Sequence, residues 1–196
     1  VRALGTIHEG VSPRYSLTAM RFALKNDLVE SAGEFISGTL FWPKWLKAAG
    51  MKVGKKCEVS SIMEVVPELM SIDEESFLAD GIYLGSPQFR GETITFGRTA
   101  LSRNTFLGNH VVIPGGSKLP ENILLGICTV AQSDRIRPNT AWFGHPSFEL
   151  PRREVVEFDR ALTHEPSWPR FVSRFFWESA RFLLPVLPVC LVLLWF

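Results

Sequence analysis

From Leu101 onward the chain places an aliphatic residue at every sixth position. The set is Leu101, Leu107, Ile113, Leu119 and Leu125, and a small or turn-forming residue follows most of them. A period of six matches neither the 3.6-residue period of an α-helix nor the two-residue alternation of a hairpin sheet. It is typical of the hexapeptide repeats of a parallel β-helix, in which one aliphatic side chain per repeat points into a narrow prism.

The same phase begins earlier in the chain. Its earlier members are Val53, Val59, Ile72, Leu78 and Leu84. Since three hexapeptides form one coil of about 18 residues, residues 51–131 predict about four coils of a β-helix. Residues 86–95 break the period and predict an insertion that leaves the prism as a loop. The alternative is a set of amphipathic strands that match the period by accident, and five successive matches argue against it.

Helical periodicity precedes the repeats. Apolar positions recur at helical spacing over residues 15–32, and a second apolar segment covers residues 35–49. Pro43 suits the first turn of the second helix, and Gly50 suits its C-terminal stop. We therefore expect residues 1–50 to comprise an N-terminal linker and amphipathic helices. These helices either cap the open end of the β-helix or lie in a membrane interface, and capping is favoured.

The residues beyond the repeats predict three further segments. Residues 132–155 contain several X-Pro steps, which favour an extended exit segment. Residues 156–181 predict an amphipathic juxtamembrane helix, because arginines alternate with aromatic side chains that suit the headgroup layer. Residues 182–196 carry no charge, and a membrane-spanning helix needs about 20 apolar residues, so we expect a truncated transmembrane helix there. The alternative is an amphipathic tail that packs on a partner.

Composition narrows the function classes. The chain has 21 Lys+Arg against 20 Asp+Glu, and this balance argues against a nucleic-acid partner. The cysteines are Cys57, Cys128 and Cys190, and they form no C-x-x-C pair. This spacing favours a reducing compartment and argues against a disulfide scaffold or a metal site. Cys57 and Cys128 fall among the coils, where we expect them to be small core residues.

An ordered set of motifs resembles a known family. The segments Phe106–Gly116, Leu125–Gly126 and Asn139–Pro146 resemble the closing coils of hexapeptide-repeat acyltransferases. The segments Ala48–Gly54, Phe77–Gly81 and Gly144–Arg153 resemble more closely the membrane-linked C-terminal modules of nonribosomal-peptide-synthetase-like proteins such as the ε-poly-lysine synthetases. The resemblance covers about residues 15–196 and includes the aromatic helices on both sides of the coils.

The resemblance implies a mainly β fold, a left-handed parallel β-helix flanked by helices, which departs from the usual right-handed crossover. It implies an adenylation domain and a carrier protein in the same chain, tandem sister modules or a homo-oligomer, and membrane attachment with the soluble part facing the cytoplasm. The reaction it implies is amide formation from aminoacyl thioesters held on the carrier's phosphopantetheine, or from a CoA thioester. The alternatives are a non-catalytic scaffold that docks a carrier domain or sister module, and a free-standing CoA-dependent acetyltransferase.

Amide formation needs a base for the attacking amine and donors for the oxyanion. The resembled acyltransferases carry a catalytic histidine on the loop that leaves the coils, but residues 86–92 contain none. His110 is a candidate base because imidazole titrates near neutral pH, with a surface role as the alternative. Asp80 matches a family position, although aspartate next to Gly81 is also a common turn former. Asn109 either adopts the left-handed corner conformation or donates to an oxyanion.

Three residues of the exit segment are candidates for holding the thioester. His145 precedes Pro146, and we expect it either to line a thioester channel or to serve in packing. Arg152 and Arg153 are candidates for phosphopantetheine contact, because guanidinium groups match phosphate geometry. The alternative for the two arginines is a solvated pair or a contact with lipid headgroups.

Overall fold

The computed structural model describes residues 1–151, 159–184 and 186–195, and it divides into the units Val1–Glu154 and Val155–Phe196. In chain order the first unit contains β1 (Gly10–Pro13), α1 (Leu17–Ile36), α2 (Trp42–Ala49), β2 (Lys52–Val53), β3 (Glu58–Val59), β4 (Ile62–Met63), β5 (Met70–Ile72), β6 (Phe77–Leu78), β7 (Ile82–Ser86), β8 (Gln88–Arg90), β9 (Thr93–Phe96), β10 (Thr99–Leu101), β11 (Phe106–Leu107), β12 (Val112–Pro114), β13 (Lys118–Leu119), β14 (Leu124–Leu125), β15 (Ala141–Phe143) and β16 (Phe148–Glu149). The second unit contains α3 (Trp168–Leu183) and α4 (Val186–Trp195).

Three parallel sheets form the faces of a solenoid. The first face contains β2, β5, β10 and β13, the second contains β3, β6, β11, β14 and β15, and the third contains β4, β7 and β12. The chain visits the first, second and third face in turn, and strands from successive visits pair in parallel. This order produces stacked coils over residues 51–131, and Val130 completes the last of them by a bridge to Val112. The parallel coil architecture predicted from the period of six is confirmed.

The residues of the six-residue pattern occupy the interior of the prism. All ten are buried: Val53, Val59, Ile72, Leu78, Leu84, Leu101, Leu107, Ile113, Leu119 and Leu125. They stack in register from coil to coil, as when Leu107 pairs with Leu78 on one side and with Leu125 on the other. Fully burying an aliphatic side chain of this size stabilises a fold by about 1.5–3 kcal/mol, so these columns form the main core.

The corner between the first and second faces is built from residues in the left-handed conformation. Its members are Lys56, Glu75, Asn104, Asn122 and Asn139, with φ between 55° and 63°. The amide of Asn104 donates to Oδ1 of Asn122 (2.9 Å), and the amide of Asn122 donates in turn to Asn139. Asparagine is enriched in this conformation, so the side-chain ladder and the backbone preference favour the same geometry. We call this set the asparagine corner.

The two helices of residues 1–50 cap the first coil, which is the favoured of the two interpretations from sequence. Trp42 and Leu46 of α2 are fully buried, and the Trp42 Nε1–H donates to the carbonyl of Ser60 (3.0 Å). On α1 the buried Lys25 forms an ion pair with Glu68, which lies in the turn between the first two coils. Such caps shield the apolar end of a solenoid from water.

The insertion and the N-terminal residues form a small sheet that the sequence pattern does not predict. β8 and β9 form an antiparallel hairpin, and β1 pairs antiparallel with the other edge of β9. The insertion therefore leaves the prism as a hairpin, and residues interpreted as a linker contribute a strand to it. The cause lies in β9, where apolar Ile94 and Phe96 alternate with threonines and are buried. Phe96 packs edge-on against Phe22 of α1 (5.7 Å between ring centroids).

The exit segment continues the second face before it turns back. β15 pairs in parallel with β14, and β16 then returns antiparallel to β15. Trp142 takes the inward position of β15 and is buried, with the guanidinium of Arg135 over its ring at 5.6 Å. This indole closes the last coil in the way that the helices close the first.

The second unit begins its main helix later than the sequence predicts. Residues 156–181 were expected to be helical, whereas α3 starts at Trp168 after a 3-10 turn at Arg160–Leu162. Pro166 biases Glu165 away from helical geometry, and Pro169 fits the first turn of α3. Within residues 1–151, 159–184 and 186–195, no helix combines the length and apolar character required to cross a bilayer. The transmembrane assignment of residues 182–196 stays a prediction.

Candidate functional site

The corner between the second and third faces brings the predicted catalytic residues together. It consists of Ser61 in the first coil, Asp80 and Gly81 in the second, Asn109 and His110 in the third, and Ile127 and Cys128 in the fourth. Asp80, Asn109 and His110 are all exposed, so a substrate can reach them. We call this set the Asp80–His110 corner.

Backbone hydrogen bonds align this corner from coil to coil. The His110 N–H donates to the Asp80 carbonyl (2.9 Å), and the Cys128 N–H donates to the Asn109 carbonyl (2.9 Å). Gly81, His110 and Cys128 share the left-handed conformation, with φ of 69°, 56° and 55°. They therefore occupy equivalent positions in successive coils, which are about 4.8 Å apart along the stack.

Ser61 replaces a backbone acceptor in the first coil. That coil has one residue fewer between its inward aliphatics at this corner, since Val59 is followed by Ser60, Ser61 and the buried Ile62. The Ser61 hydroxyl therefore accepts the Gly81 N–H (2.8 Å), which in later coils is the task of a carbonyl. The same hydroxyl lies 3.4 Å from Oδ1 of Asp80 and donates to it. Ser61 thus joins the site, although the sequence did not single it out.

Gly81 provides the space in which the His110 ring lies. A Cβ atom built on Gly81 would come within 2.8 Å of Cε1 of His110, closer than carbon atoms pack, so the imidazole rests directly on the glycine backbone. His110, and not Asn109, adopts the left-handed conformation, so the corner role considered for Asn109 is wrong in its backbone part. The Asn109 side chain instead accepts the Asp80 N–H through Oδ1 (3.2 Å). That bond uses the amide oxygen of Asn109, whose N–H group is still a hydrogen-bond donor on an exposed residue.

The two cysteines of the coils differ in environment. Cys128 is exposed at the Asp80–His110 corner, which corrects its interpretation as a core residue. The cause is the left-handed turn, which directs Cys128 outward while the next residue, Thr129, is buried. Cys57 is partly buried and lies 3.0 Å from the carbonyl of Asp73, and burial raises the pKa of its thiol. Among the described residues, no three His, Cys, Asp or Glu side chains form a group that could hold a metal ion.

The exit turn carries His145 past the fourth coil. The Gly144 N–H donates to Oγ1 of Thr129 (3.1 Å), the residue that follows Cys128, and this bond sets the turn between β15 and β16. His145 is exposed in that turn. Arg152 and Arg153, the predicted phosphate ligands, lie outside the described residues. Their part in holding a thioester cofactor stays a prediction.

An exposed aromatic stack lies beside the corner on the second face. The rings of Phe77 and Phe106 are stacked at 5.1 Å between centroids, and both remain over a third exposed. Between each ring and the corner the chain has a buried leucine, Leu78 or Leu107, and then a small residue, Ala79 or Gly108. These two rings form an exposed apolar surface next to the corner.

The sequence pattern could have identified Ser61 and Cys128 as members of this corner. Each follows an inward aliphatic by two or three positions, as Asp80 and His110 do, so the phase of the repeat places all four at one corner. What the pattern did not indicate is the direction of the Cys128 side chain, because the left-handed turn is a property of the backbone.

Comparison with known proteins gives one related sequence and several similar folds. No protein-family model matches the chain. It is 32% identical over 188 residues to the delta-poly-L-ornithine synthetase of Acinetobacter baumannii (strain AB307-0294). The aligned region covers 93% of this chain and 14% of that protein. The chain therefore spans about one seventh of the length of this relative. The predicted relation to poly-amino-acid synthetases is confirmed.

Solved structures with a similar fold are hexapeptide acetyltransferases. A maltose O-acetyltransferase from Clostridium difficile 630 matches with a TM-score of 0.44 and 14% identity, over 68% of this chain and 89% of that one. A hexapeptide-repeat acetyltransferase from Vibrio cholerae, solved with acetyl coenzyme A, matches with a TM-score of 0.48 and 12% identity, over 65% and 86%.

Proposed function

We propose that this chain is an acyltransferase-type module that forms amide bonds from aminoacyl thioesters. The observation that carries the proposal is the convergence of Asp80, Asn109 and His110 at one exposed corner of a chain related to a poly-ornithine synthetase. The name of that relative describes the assembly of an amino-acid polymer. An amide-forming module is the corresponding activity for this chain.

In the proposed reaction, His110 acts as the general base. The amine nitrogen attacks the thioester carbonyl, its proton passes to the imidazole, the C–S bond breaks, and the proton leaves on the departing thiol. General-base catalysis of this kind accelerates a reaction by about 10²–10⁴-fold. The exposed position of His110 beside Gly81 supports this role, because substrate can reach the imidazole.

Asp80 and Asn109 serve as neighbours of the base in this proposal. The Asp80 carboxylate, oriented by Ser61, attracts the ammonium form of the acceptor to the corner. The Asn109 amide N–H group is placed to donate to the oxyanion, since its oxygen is already bound to the Asp80 N–H. His145 and the aromatic pair Phe77 and Phe106 would contact the thioester arm.

The finer features of the resemblance belong to the same proposal. We propose left-handed winding of the coils, a carrier protein with phosphopantetheine as the acyl donor, and an adenylation domain and sister modules as partners. We also propose that the second unit attaches to a membrane, with the coils on the cytoplasmic side. α3 supports attachment because Arg170, Arg174 and Arg181 share one face of the helix. Phe171, Phe175 and Phe182 lie on a different face, so basic and apolar side chains are largely segregated.

The test is product formation by the intact protein supplied with amino acids and ATP, read by mass spectrometry. His110→Ala is expected to lower the rate by about 10²-fold or more, the magnitude typical of general-base loss, and Asp80→Ala is expected to lower the rate by weakening attraction of the acceptor. Asp134→Ala and His8→Ala are matched controls, because both residues are exposed and lie outside the corner. Full activity in Asp80→Ala, His110→Ala and the double variant would refute the assignment of the site.

A second candidate is a scaffold that docks a carrier domain without catalysis. The observation in its favour is an exposed apolar stripe on α1, formed by Leu17, Leu24, Leu28 and Phe35, each at least 45% exposed. The same assay separates the candidates. A scaffold would lose product when this stripe is made polar and would keep it when His110 is replaced.

A further inference from the structure

A cavity of about 280 Å³ lies in the cap of the solenoid, where the N-terminal residues meet α1, the end of α2 and the turn between the first two coils. Its polar lining residues are Arg2, Thr6, Lys25 and Glu68, and the rest of the lining is glycine or alanine. The guanidinium of Arg2 is fixed at the cavity by a hydrogen bond that it donates to the carbonyl of Lys47 (3.0 Å). Since a water molecule takes up about 30 Å³, the cavity has room for a ligand of several non-hydrogen atoms.

Lys25 brings a buried cation to this cavity. Its side chain is only 2% exposed, and it belongs to the buried face of α1 together with Phe22 and Val29. An ammonium group has three N–H donors, and the only acceptor that Lys25 finds among the described residues is Oε1 of Glu68. A buried charge with donors left over is costly, so an acceptor supplied by a ligand would stabilise it.

Glu68 has one oxygen with hydrogen-bond partners and one without. Oε1 accepts the Ile7 N–H (2.7 Å) and also the ammonium of Lys25. Oε2 is buried, and no donor among the described residues reaches it. Buried polar atoms in native folds are nearly all hydrogen-bonded, and a charged atom without a partner carries the largest penalty. The unmet acceptor therefore indicates a ligand that carries a donor.

The charges around the cavity decide the sign of that ligand. Arg2 and Thr6 are exposed, so they line the open side of the cavity. The guanidinium of Arg21 lies beside the lining Gly5, because a Cβ atom on that glycine would be 3.6 Å from Cζ of Arg21. With the buried ammonium, three cations surround one carboxylate, since Glu68 is the only acid among the lining residues. This balance favours a ligand with net negative charge over a neutral zwitterion or a metal ion.

From these contacts we infer that the cavity binds inorganic phosphate. Hydrogen phosphate carries negative oxygens for the ammonium of Lys25 and the guanidinium of Arg2, and it keeps one P–OH group that donates to Oε2 of Glu68. The inference does not depend on the proposed acyl transfer.

The carboxylate makes this binding selective. Sulfate has nearly the same shape and charge as hydrogen phosphate but carries no proton at neutral pH, so it would place an oxygen against Oε2 of Glu68 without a donor between them. A phosphate monoester loses its last P–OH proton near about pH 6, so at about pH 8 it resembles sulfate in this respect. Free phosphate is therefore the source of the anion that the cavity selects.

The experiment titrates the whole chain with phosphate, sulfate and methyl phosphate at about pH 8 and constant ionic strength, and measures binding by isothermal titration calorimetry. We expect phosphate to bind with a dissociation constant of about 0.1–1 mM. Sulfate and methyl phosphate should bind at least about tenfold more weakly, because neither has the donor for Oε2 of Glu68. All three ligands are compared on the parent chain, so this comparison does not depend on the folding of a variant.

Two variants locate the bound ion. Arg2→Gln is expected to weaken phosphate binding about threefold to tenfold, since a partly exposed charge pair is lost. Arg90→Gln is the matched control and should leave the affinity unchanged, because Arg90 is an exposed arginine of the same unit that does not line the cavity. Glu68→Gln replaces the acceptor with an amide that can donate, so it should bind sulfate as well as phosphate. Circular dichroism checks that this variant folds, because the substitution also removes the charge that Lys25 pairs with.

Three results would overturn the inference. Equal affinity for phosphate and sulfate in the parent chain would mean that Oε2 of Glu68 has no part in binding. Equal weakening by Arg2→Gln and Arg90→Gln would mean that phosphate collects on the basic surface rather than in the cavity. No saturable heat with phosphate in the parent chain would mean that water alone satisfies the buried carboxylate.

Discussion

Two corners of the same solenoid have nearly the same backbone and very different side chains. At the asparagine corner, Asn104, Asn122 and Asn139 occupy left-handed positions in successive coils and hydrogen-bond to each other. At the Asp80–His110 corner the equivalent positions hold Gly81, His110 and Cys128. The first corner holds asparagine at its last three positions, after Lys56 and Glu75, and the second changes its residue in every coil.

The difference in residue type between the two corners suits a structural role for the asparagine corner and the proposed chemical role for the Asp80–His110 corner. Asparagine tolerates φ near +55° better than most residues, so a corner selected only for its fold needs nothing else. Histidine is also enriched in that conformation whereas cysteine is not, and non-glycine residues held there cost about 1–3 kcal/mol and concentrate at functional sites. In the proposed function, the exposed side chains of the Asp80–His110 corner serve to bind the substrate and to carry out the acyl transfer.

The largest effect is expected when a residue of the Asp80–His110 corner is replaced by the residue type found at the asparagine corner. His110→Asn keeps a residue suited to φ of 56° and removes the base, so we expect the rate of product formation to fall by about 10²-fold or more. The free energy of unfolding should stay within about 0.5 kcal/mol of the parent chain, because the site is exposed. Product rate and urea unfolding, measured on the same sample, give both numbers.

The result that would contradict this prediction is a variant that loses stability and activity together. Such an outcome would make His110 a structural residue whose ring is needed on Gly81. Asn104→His provides the reverse exchange at the asparagine corner, and we expect it to lower stability while leaving the product rate unchanged.

The second prediction concerns the asparagine corner. Asn122→Ala removes the amide that joins Asn104 to Asn139 and places alanine at φ of 55°, so we expect a loss of about 2 kcal/mol in the free energy of unfolding. Asn122→Gly removes the same hydrogen bonds without the backbone cost and should lose about half as much. Urea denaturation measures both. Equal losses in the two variants would show that the left-handed conformation contributes nothing to the difference.

Most of the fold could be predicted from the sequence because one physical constraint repeats. Every strand of the prism must turn an aliphatic inward, and the period of six records that requirement directly, as the burial of Leu101, Leu107 and Leu125 shows. The small sheet of β1, β8 and β9 escaped prediction because its pairing joins residues about 80 positions apart. The local pattern of apolar and polar residues can indicate that a segment is a strand, but it does not identify the distant strand with which that segment pairs.

The sequence led to three residues that the structure brings to one corner, and it did not indicate the geometry of that corner. Asp80 follows the inward Leu78 by two positions and His110 follows the inward Leu107 by three, and the structure shows both at one corner. The pattern did not indicate that His110 rests on Gly81, that Ser61 supplies the missing acceptor, or that Cys128 faces outward. Each of these depends on which corner residue adopts positive φ, and a shift of one position changes the direction of the side chain.

The smallest expected effect tests Cys128, the residue at this corner that the proposed reaction does not use. Cys128→Asn places the preferred residue at φ of 55°, so we expect a gain of about 0.5 kcal/mol, or an increase of about 1–2 °C in the unfolding midpoint. Cys128→Ala is the matched control, since it removes the thiol without the asparagine preference and should give no gain. Thermal unfolding followed by circular dichroism distinguishes them. If Cys128→Asn instead lowers the product rate tenfold while Asp134→Ala does not, the thiol takes part in the reaction, and the division between a structural and a chemical corner then extends to the fourth coil.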